Sequence, residues 1–280
     1  MTMLLMQKLS ATLLLCANVF AATDAEILAF LKKGIAGNAN VSNIELSING
    51  KKSVPGMSGW QAYFVAIEAD VKQGNDNRHI NQNGTYFISG DTLATELVNV
   101  KTGERYNDTI APDFPVQFYT KNNLISGRAN AKYKVAIFSD PLCPFCRRYV
   151  PETLSYMTKY PAVFGVYYFH YPLPTLHPAA VTLTKAAIAA EQAGMDNVTM
   201  RLYTVEVNPN EKDEGKILDA FNKTFKTKLG IADIRRPSVL KQYELDQKVA
   251  QIAMVSGTPT VFFDGKKDPT KNKYKEAKVK

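Results

Sequence analysis

Cysteine and histidine are both scarce in this sequence. Its 280 residues include three cysteines and three histidines, whereas a structural zinc ion takes four ligands drawn mainly from these two residue types. His79, His170 and His177 do not show the paired spacing of a zinc motif. We therefore expect no bound metal, and a zinc-binding protein is kept only as an alternative reading of the cysteines.

Low-complexity tracts and internal repeats are also missing. The chain has no extended Gly, Ser, Gln or Pro run and no self-similarity at solenoid or propeller periods, which excludes those architectures. Hydrophobic residues make up 45% and charged residues 21% of the chain, as in a globular protein with a substantial core. Part of the formal charge of +8 lies in a lysine-rich end after Asp264. Such runs are usually solvated, and we expect no nucleic-acid partner.

The apolar run at the N-terminus is short, and no other stretch of the sequence approaches transmembrane length. Lys8 precedes this run, and a small-x-small triplet that ends at Ala21 follows it. This order predicts a secretory signal peptide over residues 1–21, cleaved after about Ala21, since a membrane-spanning helix needs about 20 apolar residues. We expect export to the periplasm as a soluble chain, which leaves a single cysteine pair once Cys16 is removed.

Residues 22–101 predict a small α+β domain. A capped amphipathic pattern indicates a helix over 23–34, and β-rich or alternating segments indicate strands at 44–48, 60–67 and 85–89. The Asn-Gly pairs at 49–50 and 83–84 predict tight turns beside these strands. Residues 102–132 are polar and irregular, and we interpret them as a linker.

Residues 133–280 predict an α/β domain. Buried strands are indicated at 133–138, 163–171 and 260–263, with a helix after the first strand. A helical insertion of about 178–253, broken near residues 194, 208–209 and 230, separates the last two strands. Strands alternating with helices in this way predict a sheet with right-handed crossovers. Few apolar residues follow Phe263, which argues against a full closing helix.

The cysteine pair lies in Cys143-Pro144-Phe145-Cys146, where the first predicted strand meets the helix. A helix start offers unpaired N–H groups and the positive end of the peptide dipoles, which favour a thiolate over a thiol. Thiol–disulfide exchange begins with a thiolate. We therefore expect Cys143 to be the nucleophile and Cys146 to be the buried partner that closes a disulfide with it. That redox-active disulfide would need no other cofactor.

A second motif, Gly257-Thr258-Pro259-Thr260, stands directly before the last strand. A proline is tolerated at a strand entrance, and an X-Pro bond in a tight turn is a candidate for the cis form. Beside a redox pair, Thr258 and Pro259 would present backbone groups to an extended substrate segment. The alternative is an ordinary trans proline that starts a strand.

Together these residues resemble the thioredoxin superfamily. Pro151 matches the proline within the active-site helix of many thioredoxins, and the long helical insertion is similar to that of the Dsb proteins. The segment 83–91, together with segments 171–174 and 177–180, resembles the periplasmic thiol:disulfide interchange proteins of the DsbC/DsbG type. The resemblance implies an α+β N-terminal dimerisation domain joined by a linker to an α/β thioredoxin-fold domain with a helical insertion.

The same resemblance implies a function and partners. The chain would be a homodimeric protein thiol:disulfide oxidoreductase, an isomerase or an oxidase, that acts on unfolded or misoxidised client proteins. A membrane redox partner would recycle the pair. The dipeptide Pro144-Phe145 differs from that of DsbC, whereas Thr258 is similar to the isomerase branch. Two other functions stay open, a holdase-type chaperone with a passive disulfide and a dedicated electron-transfer reductase of one partner.

Overall fold

The computed structural model describes residues 21–74 and 76–279 and arranges them around two β-sheets. The predicted signal peptide, with Cys16, lies outside the described residues apart from Ala21. Among the residues described, no helix is both long enough and apolar enough to cross a membrane.

The N-terminal unit consists of one helix packed on a four-stranded antiparallel sheet whose strands pair in chain order. Its elements are α1 (Asp24–Ala36), β1 (Val41–Ser53), β2 (Gln61–Gln73), β3 (Asp76–Ser89) and β4 (Thr92–Ala94). The helix starts at a capping box, because the Thr23 hydroxyl accepts the Glu26 N–H and the Glu26 carboxylate accepts the Thr23 N–H. Ile27 of α1 then packs against Val65 and Ile88 of the sheet.

Both Asn-Gly pairs lie inside strands, so the predicted turns are wrong. The pair 49–50 belongs to β1, where the register against β2 shifts between Ile48 and Gly50, as at a β-bulge. The pair 83–84 lies within β3, hydrogen-bonded along the middle of β2. The chain reverses instead at Gly74, whose φ of +64° is one that glycine adopts without strain. The strands are longer than predicted because pairing continues across both dipeptides.

The segment predicted as a linker, 102–132, contributes to the second sheet. It contains α2 (Tyr106–Thr109), two 3₁₀ turns and the strand β5 (Leu124–Ser126), which pairs with a strand of the C-terminal unit. Phe114, in the same segment, is only 2% exposed. The C-terminal unit therefore begins earlier in the chain than residue 133. The sequence did not reveal this, because the few buried residues of the segment are isolated among polar ones.

The second sheet has five strands in the order β5–β7–β6–β8–β9. Its further strands are β6 (Tyr133–Ser139), β7 (Phe164–His170), β8 (Thr260–Phe263) and β9 (Lys266–Lys267). β6 and β7 are parallel, and the helix α3 (Pro144–Met157) connects them, whereas the other neighbours are antiparallel. The three strands predicted for this domain are all present, within a residue or two of the predicted bounds.

The helical insertion between β7 and β8 is confirmed, with breaks where they were predicted. It comprises α4 (Ala179–Gln192), α5 (Val198–Leu202), α6 (Glu214–Phe225), α7 (Ile231–Ile234) and α8 (Pro237–Ile252). α4 and α6 pack with α5 around a core of alanine, leucine and phenylalanine side chains. Between β9 and residue 279, where the described part of the chain ends, the short α9 (Lys273–Glu276) is the only helix, and the buried Tyr274 anchors it. This agrees with the expectation that a full closing helix is missing.

Phe114→Ala should destabilise the C-terminal unit by about 3–5 kcal/mol, the usual cost of removing a fully buried phenylalanine ring. The ring packs against those of Tyr119, Phe169 and Phe262, with centroid distances of 4.8, 5.4 and 5.4 Å. Urea denaturation would measure the change, with Val116→Ala as the control because Val116 is 78% exposed. Equal stabilities of the two variants would mean that this segment is a linker after all.

Candidate active site at the start of helix α3

Cys143 lies at the junction between β6 and α3, as the sequence predicts. It is the N-cap residue of α3 with extended backbone angles, and Pro144 occupies the first helical position, where a missing N–H is tolerated. Pro151 lies within the same helix. Cys143 therefore lies at the end of α3 where backbone N–H groups lack intrahelical acceptors, and its side chain makes no capping hydrogen bond to them.

The Thr258–Pro259 turn lies against this sulfur, although 115 residues separate the two motifs in sequence. The Thr258–Pro259 peptide bond is cis. The Cys143 thiol donates to the Thr258 carbonyl oxygen over 3.6 Å. The antiparallel pairing of β8 with β6 explains the approach, since it brings the start of β8 level with the end of β6.

The two cysteines have different environments. Cys143 is 5% exposed and Cys146 is fully buried one turn further along α3. Burial raises the pKa of the Cys146 thiol to about 12, against an opposing effect of the Ser139 and Thr258 hydroxyls and the Asp140 backbone. Cys146 is therefore a neutral thiol near neutral pH. Pro144 and Phe145, between the cysteines, face solvent, and the Phe145 side chain is 65% exposed.

Asp140 is the residue of this site that the sequence analysis missed. Its carboxylate is fully buried and accepts the N–H groups of Leu142 (2.7 Å) and Cys143 (3.1 Å) through Oδ1. Oδ2 accepts the Leu173 N–H at 2.8 Å and lies 3.0 Å from Nδ1 of His177. One side chain thus joins the cysteine loop to the loop that follows β7. Asp140 also precedes a proline, as turn-forming aspartates often do, and this signal could have identified it.

Groups other than the two sulfurs engage the side chains of Arg147, His170 and His177. The Arg147 guanidinium donates to the carbonyl oxygens of Pro141 and Val205, at 3.1 and 2.7 Å, so it ties loops together. His177 contacts Asp140, and His170 contacts Glu191. Within residues 21–74 and 76–279, no three His, Cys, Asp or Glu side chains are grouped so that they could hold a metal ion.

A parallel β6–α3–β7 unit extended by antiparallel β8, with a Cys-x-x-Cys pair facing a cis-proline turn, defines a thioredoxin-type fold and site. A family model described as Thioredoxin matches residues 119–279, more than half of the chain. The chain therefore belongs to the thioredoxin family. Its sequence-predicted fold class is confirmed for the C-terminal domain.

Comparison with solved structures gives partial similarities. They include a thioredoxin-like oxidoreductase from Silicibacter pomeroyi DSS-3, at 20% identity and a TM-score of 0.46 over 57% of this chain and 91% of that one. ScsC from Proteus mirabilis is 20% identical with a TM-score of 0.43, over 55% of this chain and 74% of that one. Oxidised BdbD from Bacillus subtilis is 15% identical with a TM-score of 0.46, over 61% of this chain and 94% of that one. A search of curated proteins gives no match.

Asp140→Asn should lower the free energy of unfolding by about 2–3 kcal/mol, because an amide NH₂ would face N–H donors and leave some of them buried without an acceptor. Chemical denaturation of the reduced protein would measure the loss. Asp219→Asn is the matched control, since Asp219 is exposed on α6 and should change stability by less than about 0.5 kcal/mol. A variant at position 140 as stable as this control would contradict the structural role of the carboxylate.

Proposed function

We propose that this chain is an exported thiol–disulfide oxidoreductase that forms or isomerises disulfide bonds in client proteins. The contact of the Cys143 thiol with the Thr258 carbonyl oxygen, at 3.6 Å, carries the proposal. It sets a sulfur at a helix start beside an extended backbone segment, and such a segment can pair with the backbone of a bound peptide. A purely structural disulfide would need neither feature.

The chemistry follows from the different environments of the two sulfurs. The Cys143 thiolate attacks one sulfur of a client disulfide, forms a mixed disulfide and releases a client thiolate. The Cys146 thiol then loses its proton, and its sulfur attacks Cys143. This step forms the Cys143–Cys146 disulfide and releases the second client thiolate, which takes up a proton. In the oxidising direction a client thiolate attacks Cys143 of the disulfide form, and Cys146 leaves.

The side chains around the pair suit a protein substrate. Phe145 and Pro144 form an exposed apolar rim, and a 65% exposed phenylalanine gives an unfolded segment something to contact. Thr258 and Pro259 would hold the backbone of that segment beside the sulfurs. We assign Cys143 and Cys146 as catalytic, and Thr258 and Pro259 as substrate-binding.

Within the family we propose a protein of the DsbC/DsbG type, exported to the periplasm after loss of residues 1–21 and recycled by a membrane redox partner. The redox-active disulfide would be its only cofactor. The reduction potential of the pair would separate the roles. A potential near that of strong oxidants would favour an oxidase, and a lower one an isomerase or a reductase.

Cys143→Ala should abolish both insulin reduction and the refolding of scrambled ribonuclease, because no other described thiol stands at the helix start. Cys146→Ala should retain the first attack and accumulate mixed disulfides with the client, visible on non-reducing gels. Persistence of the full rate in Cys143→Ala would overturn the mechanism. Full prevention of aggregation by the double variant, with no catalysis in the native protein, would instead favour a holdase with a passive disulfide.

We also propose that the N-terminal unit forms a homodimer. Phe30 of α1 is 65% exposed, and beside it lies an apolar groove of about 290 Å³ between α1 and the β3–β4 hairpin, lined by Ile27, Ile88 and Leu93. A protruding ring next to a groove on one face is self-complementary, so that two copies related by a twofold axis can bury each other's ring.

Phe30→Glu should convert the dimer to a monomer, because a buried carboxylate without a partner is costly. Sedimentation velocity at several concentrations would show the change. Val100→Glu is the control, since Val100 is 93% exposed and does not line the groove. A monomeric native chain at all concentrations, or a dimer that survives the substitution, would rule out this interface.

A further inference from the structure

Three buried hydroxyl groups form a continuous chain beneath Cys146. The Tyr168 and Tyr203 hydroxyl oxygens are 2.6 Å apart, and the Tyr203 hydroxyl is 2.6 Å from Oγ of Ser139. Ser139 is fully buried, with Tyr168 at 2% and Tyr203 at 5% exposure. Ser139 follows Val135 and Ile137 on the face of β6 that packs against Cys146, and its hydroxyl lowers the pKa of the Cys146 thiol against the effect of burial. The chain therefore leads toward the sulfur that has to attack last.

The three residues come from separate parts of the fold. Ser139 is the last residue of β6 and Tyr168 lies on β7, and these strands pair side by side. Tyr203 is the C-cap residue of α5 in the helical insertion. All three side chains lie in or beside the core that contains Cys146. A fold that needed only apolar packing here would gain nothing from three aligned hydroxyls, since buried polar groups are costly unless paired.

We propose that Ser139, Tyr203 and Tyr168 are positioning residues for the resolving step, acting as an oriented chain of O–H donors that stabilises the Cys146 thiolate. The inference rests on the thiol–disulfide exchange proposed above. Each hydroxyl carries one proton. If Tyr168 donates to Tyr203 and Tyr203 donates to Ser139, the remaining Ser139 proton points to the sulfur. Such chains strengthen their terminal hydrogen bond by mutual polarisation.

The balance of the step is unchanged by the chain. The Cys146 proton is released to solvent, the Cys146 sulfur forms a bond to Cys143, and the bond between Cys143 and the departing sulfur breaks. That sulfur leaves as a thiolate and takes up a proton from solvent. The hydroxyls keep their protons throughout and lower only the energy of the charged sulfur, which is otherwise raised by burial.

The groups that face Cys146 support this assignment. They are the Ser139 and Thr258 hydroxyls, Cys143 one turn earlier, Tyr168 from β7 and Tyr203 from the insertion. Burial holds the pKa of both tyrosines well above the usual value, so both remain O–H donors. The Asp140 carboxylate is occupied by loop N–H groups, and Glu191 of α4 approaches Tyr168 and His170. The charge of the Cys143 sulfur raises the pKa of the Cys146 thiol, and this effect is gone once Cys143 is held in the mixed disulfide.

The test follows the two steps separately in the reduced full-length protein. A symmetrical aryl disulfide that releases a coloured thiolate reports Cys143 attack in a first phase and Cys146 resolution in a second phase. Tyr203→Phe should slow the second phase about tenfold, since it removes the hydrogen bond that polarises the Ser139 hydroxyl, and leave the first phase unchanged. The pH midpoint of the second phase should also move upward.

Controls separate this effect from general damage. Tyr149→Phe is the matched control, because Tyr149 lies on α3, and its hydroxyl bonds the Lys271 carbonyl instead of the chain. Tyr168→Phe should show a smaller loss of the second phase than Tyr203→Phe, since it is one hydrogen bond further away. The combined Ser139→Ala and Tyr203→Phe variant should be no slower than Ser139→Ala alone, because Tyr203 acts through Ser139.

Two results would contradict the role of the hydroxyl chain, and a third would contradict the proposed thiol–disulfide exchange. An unchanged second phase and pH midpoint in Tyr203→Phe would overturn the inference, as would additive losses in the double variant. A native protein in which neither cysteine reacts with the aryl disulfide would overturn the proposed function itself. The first phase thus tests the enzyme, and the second phase tests the hydroxyl chain.

Discussion

The site depends on placing two sulfurs one helical turn apart in opposite environments. Cys143 stands at the start of α3, where backbone N–H groups are free, and Cys146 is fully enclosed by the sheet and the helix. Because only two residues separate them, this difference has to come from the exact placing of the helix start. The buried Asp140 carboxylate supplies that placing by holding the N–H groups of Leu142 and Cys143. Without the Asp140 carboxylate, the first turn of α3 would be free to shift.

Much of the C-terminal domain could be predicted because its signals are local. The apolar run at 133–138 is long enough to be a buried strand, and the three breaks predicted in the insertion, near residues 194, 208–209 and 230, all lie between its helices. The two motifs were found for the same reason, since a Cys-x-x-Cys pair and a Thr-Pro pair each carry their chemistry in adjacent residues. Their proximity could not be read from spacing, and it depends on the pairing of β8 with β6.

What escaped prediction depends on tertiary contacts. Asn83 and Gly84 favour a turn locally, yet pairing along β2 carries them through a continuous strand. Phe114 stands in a polar segment and is recognisable as a core residue only once β6, β7 and β8 bring Phe138, Phe169 and Phe262 against it. Asp140, Ser139 and Tyr203 are ordinary residues in sequence, and each acquires its role from a partner 33 to 64 positions away. Period and propensity contain no information about such partners.

The helical insertion is part of the candidate site and not a separate cap. Leu142, directly before Cys143, packs into the core formed by α4, α5 and α6. The Arg147 guanidinium donates to the Val205 carbonyl oxygen at 2.7 Å, and Tyr203 reaches Ser139 from the same stretch of the insertion. These contacts hold the cysteine loop through Leu142, the first turns of α3 through Arg147, and the end of β6 through Ser139. A change in how the insertion packs would accordingly reach both sulfurs, even though none of its residues reacts.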